Sequence, residues 1–166
     1  MSREHHRHDA GQVTCAVVTI SDTRTAADDR SGQRIQELLR AGGHAVEHYA
    51  IVPDEPARII GELERLPTAV EAVITSGGTG LARRDTTFEA VQRVLEKEIV
   101  GFGELFRMLS YDEIGAAAML SRATAGVAGG RVLFCVPGST AAVELAMTKL
   151  IVPQLPHVVG LVRGAA

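Results

Sequence analysis

Four short segments hold the residues best suited to chemistry. They are Ser21-Asp22-Thr23-Arg24, Pro53-Asp54-Glu55, Pro137-Gly138-Ser139, and Ser76-Gly77-Gly78-Thr79-Gly80 running on to Arg83-Arg84-Asp85. Glycines lack a Cβ, so the Gly77–Gly80 backbone can bend tightly and bring its N–H groups against an anion. An ordinary turn between a strand and a helix has the same composition. Ser139 suits a helix N-cap, and a helix N-terminus attracts phosphate through its free N–H groups and dipole; capping alone also explains the serine. Asp22, Asp54 and Asp85 are three acids beside two such anion-binding features. That combination makes sense if Mg²⁺ bridges them to phosphate, because Mg²⁺ takes one or two carboxylates plus phosphate oxygens. Arg83 and Arg84 offer forked donors to phosphate, or ion pairs to neighbouring acids. The chemistry indicated is recognition of a phosphorylated ligand with Mg²⁺. The glycine run matches neither GxGxxG nor a loop ending in GK[ST], which sets aside a dinucleotide fingerprint and a Walker loop.

Each of these segments follows a stretch that reads as a strand. Thr14 to Ile20 (TCAVVTI) is β-branched and apolar throughout, as in a strand buried on both faces. His44 to Val52, Val70 to Thr75 and Val132 to Val136 read as further strands. Between them lie helical patterns: Ser31 to Ala41, stopped by Gly42-Gly43, and Pro56 to Leu66, with Pro56 in a first helical turn. The run Thr86-Thr87-Phe88-Glu89 matches a capping box opening a helix whose buried stripe is Phe88, Val91, Val94 and Leu95. Phe102 to Leu109 is a further short helix. Ser110-Tyr111-Asp112-Glu113 offers a second capping box before an Ala-rich turn. Ala123 to Val127 pairs with Val132 to Val136 through Gly129-Gly130 as a hairpin. Ser139 to Leu150 and Pro153 to Val162 close the chain as two helices. Strand–helix alternation predicts an α/β fold, a single-domain three-layer α/β/α sandwich with a mainly parallel sheet plus a short antiparallel hairpin. In open sheets of this kind ligands bind beyond the carboxyl ends of the strands, where all four segments fall.

Composition bounds the rest. The chain has 166 residues, 46% of them hydrophobic, and a net charge of −3, which suits one domain with its own core. Such a charge argues against a nucleic-acid partner, since counterion displacement needs a basic surface. Cys15 and Cys135 lie far apart in apolar runs and read as buried small hydrophobes. The N-terminus is polar, with no secretory signal, and no stretch approaches the ~20 apolar residues of a membrane span; a cytoplasmic protein with no membrane partner is expected. Residues 1–12, with His5, His6 and His8, read as a disordered tail, and residues 13–166 as the domain. His44, His48 and His157 read as structural or surface residues.

The segments together resemble the MoaB/MogA family of molybdenum-cofactor biosynthesis proteins. TSGGTGLARRDTTFEAV (75–91) looks like its signature, and SDTR (21–24), PDE (53–55), GFGELFR (101–107), SRATAGV (121–127) and PGST (137–140) match in order, over roughly residues 14 to 164. GFGELFRMLSYDEIG and PGST look most like the MoaB branch. One family branch commonly carries Pro after GGTG, where this chain has Leu81. The resemblance implies a molybdopterin-binding fold and a homotrimer or hexamer. It implies adenylylation of molybdopterin by Mg-ATP with release of pyrophosphate, followed by transfer of the product to a metal-inserting protein. The family's catalytic and metal-linked acids fall on Asp54 and Asp85. Its substrate and nucleotide contacts fall on Ser21, Asp22, Ser76, Gly77, Gly78, Thr79, Gly80, Glu104, Pro137, Gly138 and Ser139. Two alternatives stand beside this: a non-catalytic molybdopterin-binding or carrier protein, and a nucleotide hydrolase of the related competence-damage-inducible type. The hydrolases show a GGLGPT-like loop, from which Thr79 and Leu81-Ala82 depart.

Overall fold

The computed structural model describes residues 10–164. Six strands, β1 (Thr14–Ile20), β2 (Ala45–Val52), β3 (Ala72–Ser76), β4 (Lys97–Glu98), β5 (Thr124–Ala128) and β6 (Arg131–Val136), form one sheet in the order β2-β1-β3-β6-β5-β4. The first four in that order run parallel, and β5 and β4 are antiparallel additions. The expected sandwich is therefore present. The two-residue edge strand β4 is an addition that no hydrophobic period announces.

The layers follow from strand periodicity. Successive side chains point to opposite faces, so Cys15, Val17, Ile74 and Phe134 face one way, and Ala16, Val18, Val73 and Cys135 the other. On the first face pack α1 (Arg30–Ala41), α4 (Val100–Ile114), α5 (Thr140–Ala146) and α6 (Val152–Gly164) through Ile35, Phe106, Val143, Met147, Ile151 and Leu155. On the second pack α2 (Pro56–Glu64) and α3 (Thr87–Val94) through Ile59, Ala90 and Val91. Both cysteines are buried, as expected, and burial pushes each thiol up to about 12.

Three local expectations are corrected by tertiary context. Ser110 opens no helix: it lies inside α4 and its hydroxyl donates to the Phe106 carbonyl at 2.7 Å, the back-bond a serine makes in mid-helix. The expected break before Pro153 is absent. A π turn (Met147–Ile151) carries the chain from α5 into α6 as one helix, Thr140–Gly164, and such a wide turn accommodates the missing proline N–H. That helix is long and apolar enough to cross a membrane by length and composition. Its stripe of Val143, Met147, Ile151, Leu155 and Val159 is nevertheless committed to the core. The third correction, at Thr86, belongs to the site. Residues 1–9 of the expected tail lie outside the described residues. Ala10 donates its N–H to the Pro156 carbonyl at 2.8 Å.

Candidate functional site

Register brings the four segments together. Ile20 pairs with Val52, Thr19 with Ser76, and Ser76 with Val136, so the carboxyl ends of β1, β2, β3 and β6 lie side by side. The chain leaves β1 towards β2 on one side, while β3 and β6 lie on the other. The crevice at that reversal is where an open α/β sheet takes a ligand.

A cavity of about 540 Å³ occupies it, a size that accommodates a small organic ligand. Its wall holds Ser21, the whole Gly77–Gly80 loop, Asp85 and Pro137 to Ser139. Nine of the thirteen expected site residues thus meet around one space. The other four lie outside its lining. Ser76 is buried at the end of β3, with an Oγ that has no hydrogen-bond partner. Asp22 and Asp54 belong to a cluster with Arg84 and Thr86 that is not part of the lining itself, although Asp54 backs directly onto Gly78 of the lining. Glu104 is exposed on α4.

That cluster explains why the expected capping box at Thr86 does not form. The Thr86 side chain makes no cap hydrogen bond. Instead its hydroxyl and its N–H both donate to Asp54 Oδ1, at 2.7 and 3.0 Å. The other box member, Glu89, pairs with Arg122. A half-buried threonine hydroxyl gains more from a charged acceptor than from a neutral one, so the tertiary partner wins. Asp54 N–H donates to Asp22 Oδ1 at 3.2 Å, and Asp22 Oδ2 takes the Arg84 guanidinium. Arg84 therefore meets an acid, one of its two expected partners.

The glycine loop is squeezed between these groups. A Cβ at Gly78 would lie 2.5 Å from Asp54 Oδ2 and against Thr87 Oγ1 as well, and one at Gly80 would lie 2.6 Å from Asp85 Oδ2. Asp85 Oδ2 also accepts from Ala82 N–H at 3.1 Å, closing the turn. Among the described residues no group of three or more His, Cys, Asp or Glu side chains converges to hold a metal. Two carboxylates flanking one phosphate-sized loop, with the buried unpartnered hydroxyls of Ser76 and Thr87 beside it, fit a Mg²⁺ that arrives with phosphate. They do not build a closed cage.

Arg24 was not among the expected site residues, and it is the cation in the cavity wall, whose other charged members are Asp85 and Glu113. Its Nη2 donates to the Gly138 carbonyl at 3.2 Å, and its Nη1 lies 3.7 Å from Asp29 Oδ1. Ser31 Oγ donates to the same carbonyl at 2.7 Å. Asp29 is fully buried and caps α1 through Gly32 N–H, while Thr19 and Tyr49 donate to its other oxygen at 2.6 and 2.7 Å. Arg24 is thus held in place from behind, and its membership of the SDTR segment was the only sequence signal for it. Ser139 caps α5 as expected, accepting from Ala142 N–H at 3.2 Å. Gly138 packs for want of space: a Cβ there would sit 3.1 Å from Gly77 Cα.

The family described as "Probable molybdopterin binding domain" matches residues 16–157. The chain is 53% identical over 162 residues, 95% of each protein, to a Halalkalibacterium halodurans protein named "Molybdenum cofactor biosynthesis protein B". A Bacillus subtilis protein of the same name is 46% identical, covering 98% of both. A crystal structure of "Molybdenum cofactor biosynthesis protein B" superimposes with a TM-score of 0.89 at 51% identity, covering 92% of this chain and 97% of that one. The "tungsten cofactor synthesizing protein MoaB" of Pyrococcus furiosus does so with 0.79 at 36% identity, covering 92% and 98%. Sheet order, the gathered loops and these likenesses agree: the chain belongs to the MoaB/MogA family of molybdopterin-binding proteins.

Proposed function

We propose that the protein acts in molybdenum cofactor biosynthesis by binding molybdopterin and adenylylating it with Mg-ATP. The observation that carries this is the single cavity lined at once by the glycine loop, the capped start of α5, Arg24 and Asp85. Both reactants are phosphates, so such a site must gather anions and needs no nucleophile of its own. An oxygen of the pterin's terminal phosphate attacks the α-phosphorus of ATP, the bond to the β-phosphate breaks, and pyrophosphate leaves. No general base is required, because a terminal phosphate is largely ionised near neutral pH. Backbone N–H groups of the loop and of the helix start balance the charge on the phosphates, and Arg24 adds a fixed cation. Asp54 and Asp85 would hold the Mg²⁺ that comes with ATP, which screens the repulsion between the two anions.

A second reading is a non-catalytic molybdopterin-binding or carrier protein. One observation favours it: Asp54 Oδ1 already serves Thr86 and Asp85 Oδ2 already serves Ala82, so both acids have structural work without chemistry. Incubating the protein with molybdopterin, ATP and Mg²⁺ separates the two. Adenylylated pterin and pyrophosphate support transfer, whereas tight pterin binding without either supports the carrier. Asp85→Asn keeps an acceptor for Ala82 N–H, so it should fold normally and lose most transfer. Unchanged turnover would remove Asp85 from the mechanism.

The same reading includes assembly into a homotrimer or hexamer in the cytoplasm, with the product passed to a metal-inserting protein. Seven of the nine exposed large hydrophobic side chains among the described residues, including Leu105, Met108, Tyr111 and Ile114, cluster on α4 and the 3₁₀ turn after it. Surfaces of that kind mark interaction sites. Pairing this face with a second copy would cover it and carry Glu104 to a neighbouring protomer. A monodisperse monomer by light scattering at micromolar concentration would rule this assembly out.

A further inference from the structure

Arg122 carries the most concentrated set of contacts that the proposed chemistry leaves unused. Its Nε donates to the Thr79 carbonyl at 3.2 Å, and its Nη2 to the carbonyls of Gly80 at 2.5 Å and Asp85 at 3.2 Å. Its Nη1 donates to Glu89 Oε1 and its Nη2 also reaches Glu89 Oε2 at 3.4 Å, while its Cζ sits 5.0 Å from the Phe88 ring centroid. One side chain just before β5 therefore holds three residues of the segment that joins β3 to α3, Thr79, Gly80 and Asp85, and two of the first turn of α3, Phe88 and Glu89. Arg122 is absent from the lining of the 540 Å³ cavity. It lines instead a separate cavity of about 240 Å³, shared with Arg107 and Met119. It stands behind the glycine loop, away from any ligand in front of it.

The geometry of the peptide bond turns this into a functional statement. In a trans peptide the carbonyl and the N–H of the next residue point in opposite directions, and no described peptide is cis. Drawing the Asp85 carbonyl onto Arg122 must aim the Thr86 N–H the other way, and that N–H does meet Asp54 Oδ1 at 3.0 Å. By the same rule, holding the Thr79 carbonyl aims the Gly80 N–H away from Arg122, and holding the Gly80 carbonyl does so for Leu81. Gly80 is part of the cavity wall. We propose that Arg122 is a positioning residue, whose guanidinium turns the loop carbonyls backwards so that the opposite N–H groups are presented to a bound phosphate. The proposal rests on the reading that the cavity takes a phosphorylated ligand.

Arginine suits this task because its planar fork carries five donors in fixed directions, whereas a lysine ammonium cannot span three carbonyls and a carboxylate in one plane. The action is geometric rather than electrostatic. The Arg122 hydrogen bond holds the Glu89 carboxyl below the usual carboxylate range, so the pair is neutral overall near pH 7. Arg107 supports the arrangement by donating to the carbonyls on either side of Arg122, Ser121 at 3.3 Å and Ala123 at 3.4 Å.

The test uses the full chain, inorganic pyrophosphate as probe, and the variants Arg122→Lys and Arg122→Ala. Calorimetric titration should show pyrophosphate affinity falling about tenfold or more in both, the scale of losing charge-assisted N–H contacts. Amide exchange in the ligand-free protein should rise in the peptide covering residues 77–89 and stay unchanged in β1 and β6. Millimolar methylguanidinium, well below denaturing strength, should restore affinity to Arg122→Ala, and the same concentration of urea should not; a merely structural arginine predicts neither selectivity. If Arg122→Ala does not fold, the lysine variant, which keeps the stem and the charge, decides through its affinity and its exchange. A parent protein that does not bind pyrophosphate overturns the phosphate reading and this proposal with it. A parent that binds, with folded variants that bind equally well, overturns this proposal alone.

Discussion

Gly78→Ala separates two costs that usually arrive together. Gly78 has φ +67°, in the left-handed region, and an added Cβ would run into Thr87 Oγ1 and come within 2.5 Å of Asp54 Oδ2. Neither neighbour can step aside cheaply. Thr87 is fully buried, and Asp54 is tied to Thr86 through two hydrogen bonds. Gly43 supplies the internal control: its φ is +85°, yet nothing lies within 4 Å of an added Cβ. Gly43→Ala should therefore cost only the left-handed penalty, about 1–2 kcal/mol. Gly78→Ala should add an overpacking cost of about 1–3 kcal/mol, for a total of about 2–5 kcal/mol. Urea unfolding at one fixed protomer concentration measures both, since assembly would make the midpoint concentration-dependent. Relief of the clash by moving Asp54 would also displace Thr86, so Gly78→Ala should weaken phosphate-ligand binding where Gly43→Ala does not. Equal destabilisation by the two substitutions would show that the loop is not squeezed between Asp54 and the cavity.

Ser139→Ala should cost about 0.5–2 kcal/mol through loss of the α5 cap, and weakened ligand binding as well would mark the helix start as part of the anion site. Gly138→Asp places a carboxylate at the cavity wall and a Cβ 3.1 Å from Gly77 Cα. Calorimetry should show molybdopterin binding lost while the assembly state by light scattering stays that of the parent, and parent-like affinity would move the phosphate site to the Gly77–Gly80 loop alone. His44 is buried, accepts from Val13 N–H at 3.2 Å on Nδ1, and burial lowers its pKa from 6.5. The unfolded chain then takes up the proton first, so the contribution of His44 is full above pH 6.5 and declines as pH falls below that value towards the folded pKa. Urea midpoints should drop between pH 7.5 and 5.5, and less so in His44→Asn; an identical slope in the variant would exclude His44 as the cause.

Much of this was legible in the residues themselves. Apolar β-branched runs define β1, β3 and β6 because a strand buried on both faces has no polar face to show. Gly129-Gly130 sets a hairpin and Ser139 sets a cap because both are decided within four residues of chain. The glycine loop, the three aspartates and the PGST turn stood out for the same reason: their chemistry is carried by type and immediate spacing. What the sequence could not decide was which partner each polar group would choose. Thr86 and Glu89 have the spacing of a capping box, yet Asp54 and Arg122, 32 and 33 positions away, take them instead. Ser110 looks like a helix start and is a mid-helix residue, because α4 is already docked on the core through Phe102 and Phe106, with Phe102 against Phe134, and its hydrogen bonding continues to Ile114. Arg24 and Arg122 carried no pattern of their own. Their roles come from a carbonyl 114 residues away and from a loop some 40 residues away. Local order is settled by propensities that act over a few residues. A binding site is settled by which unsatisfied donors and acceptors the sheet brings within hydrogen-bonding distance of one another, and that depends on register and crossover, which only the folded chain possesses.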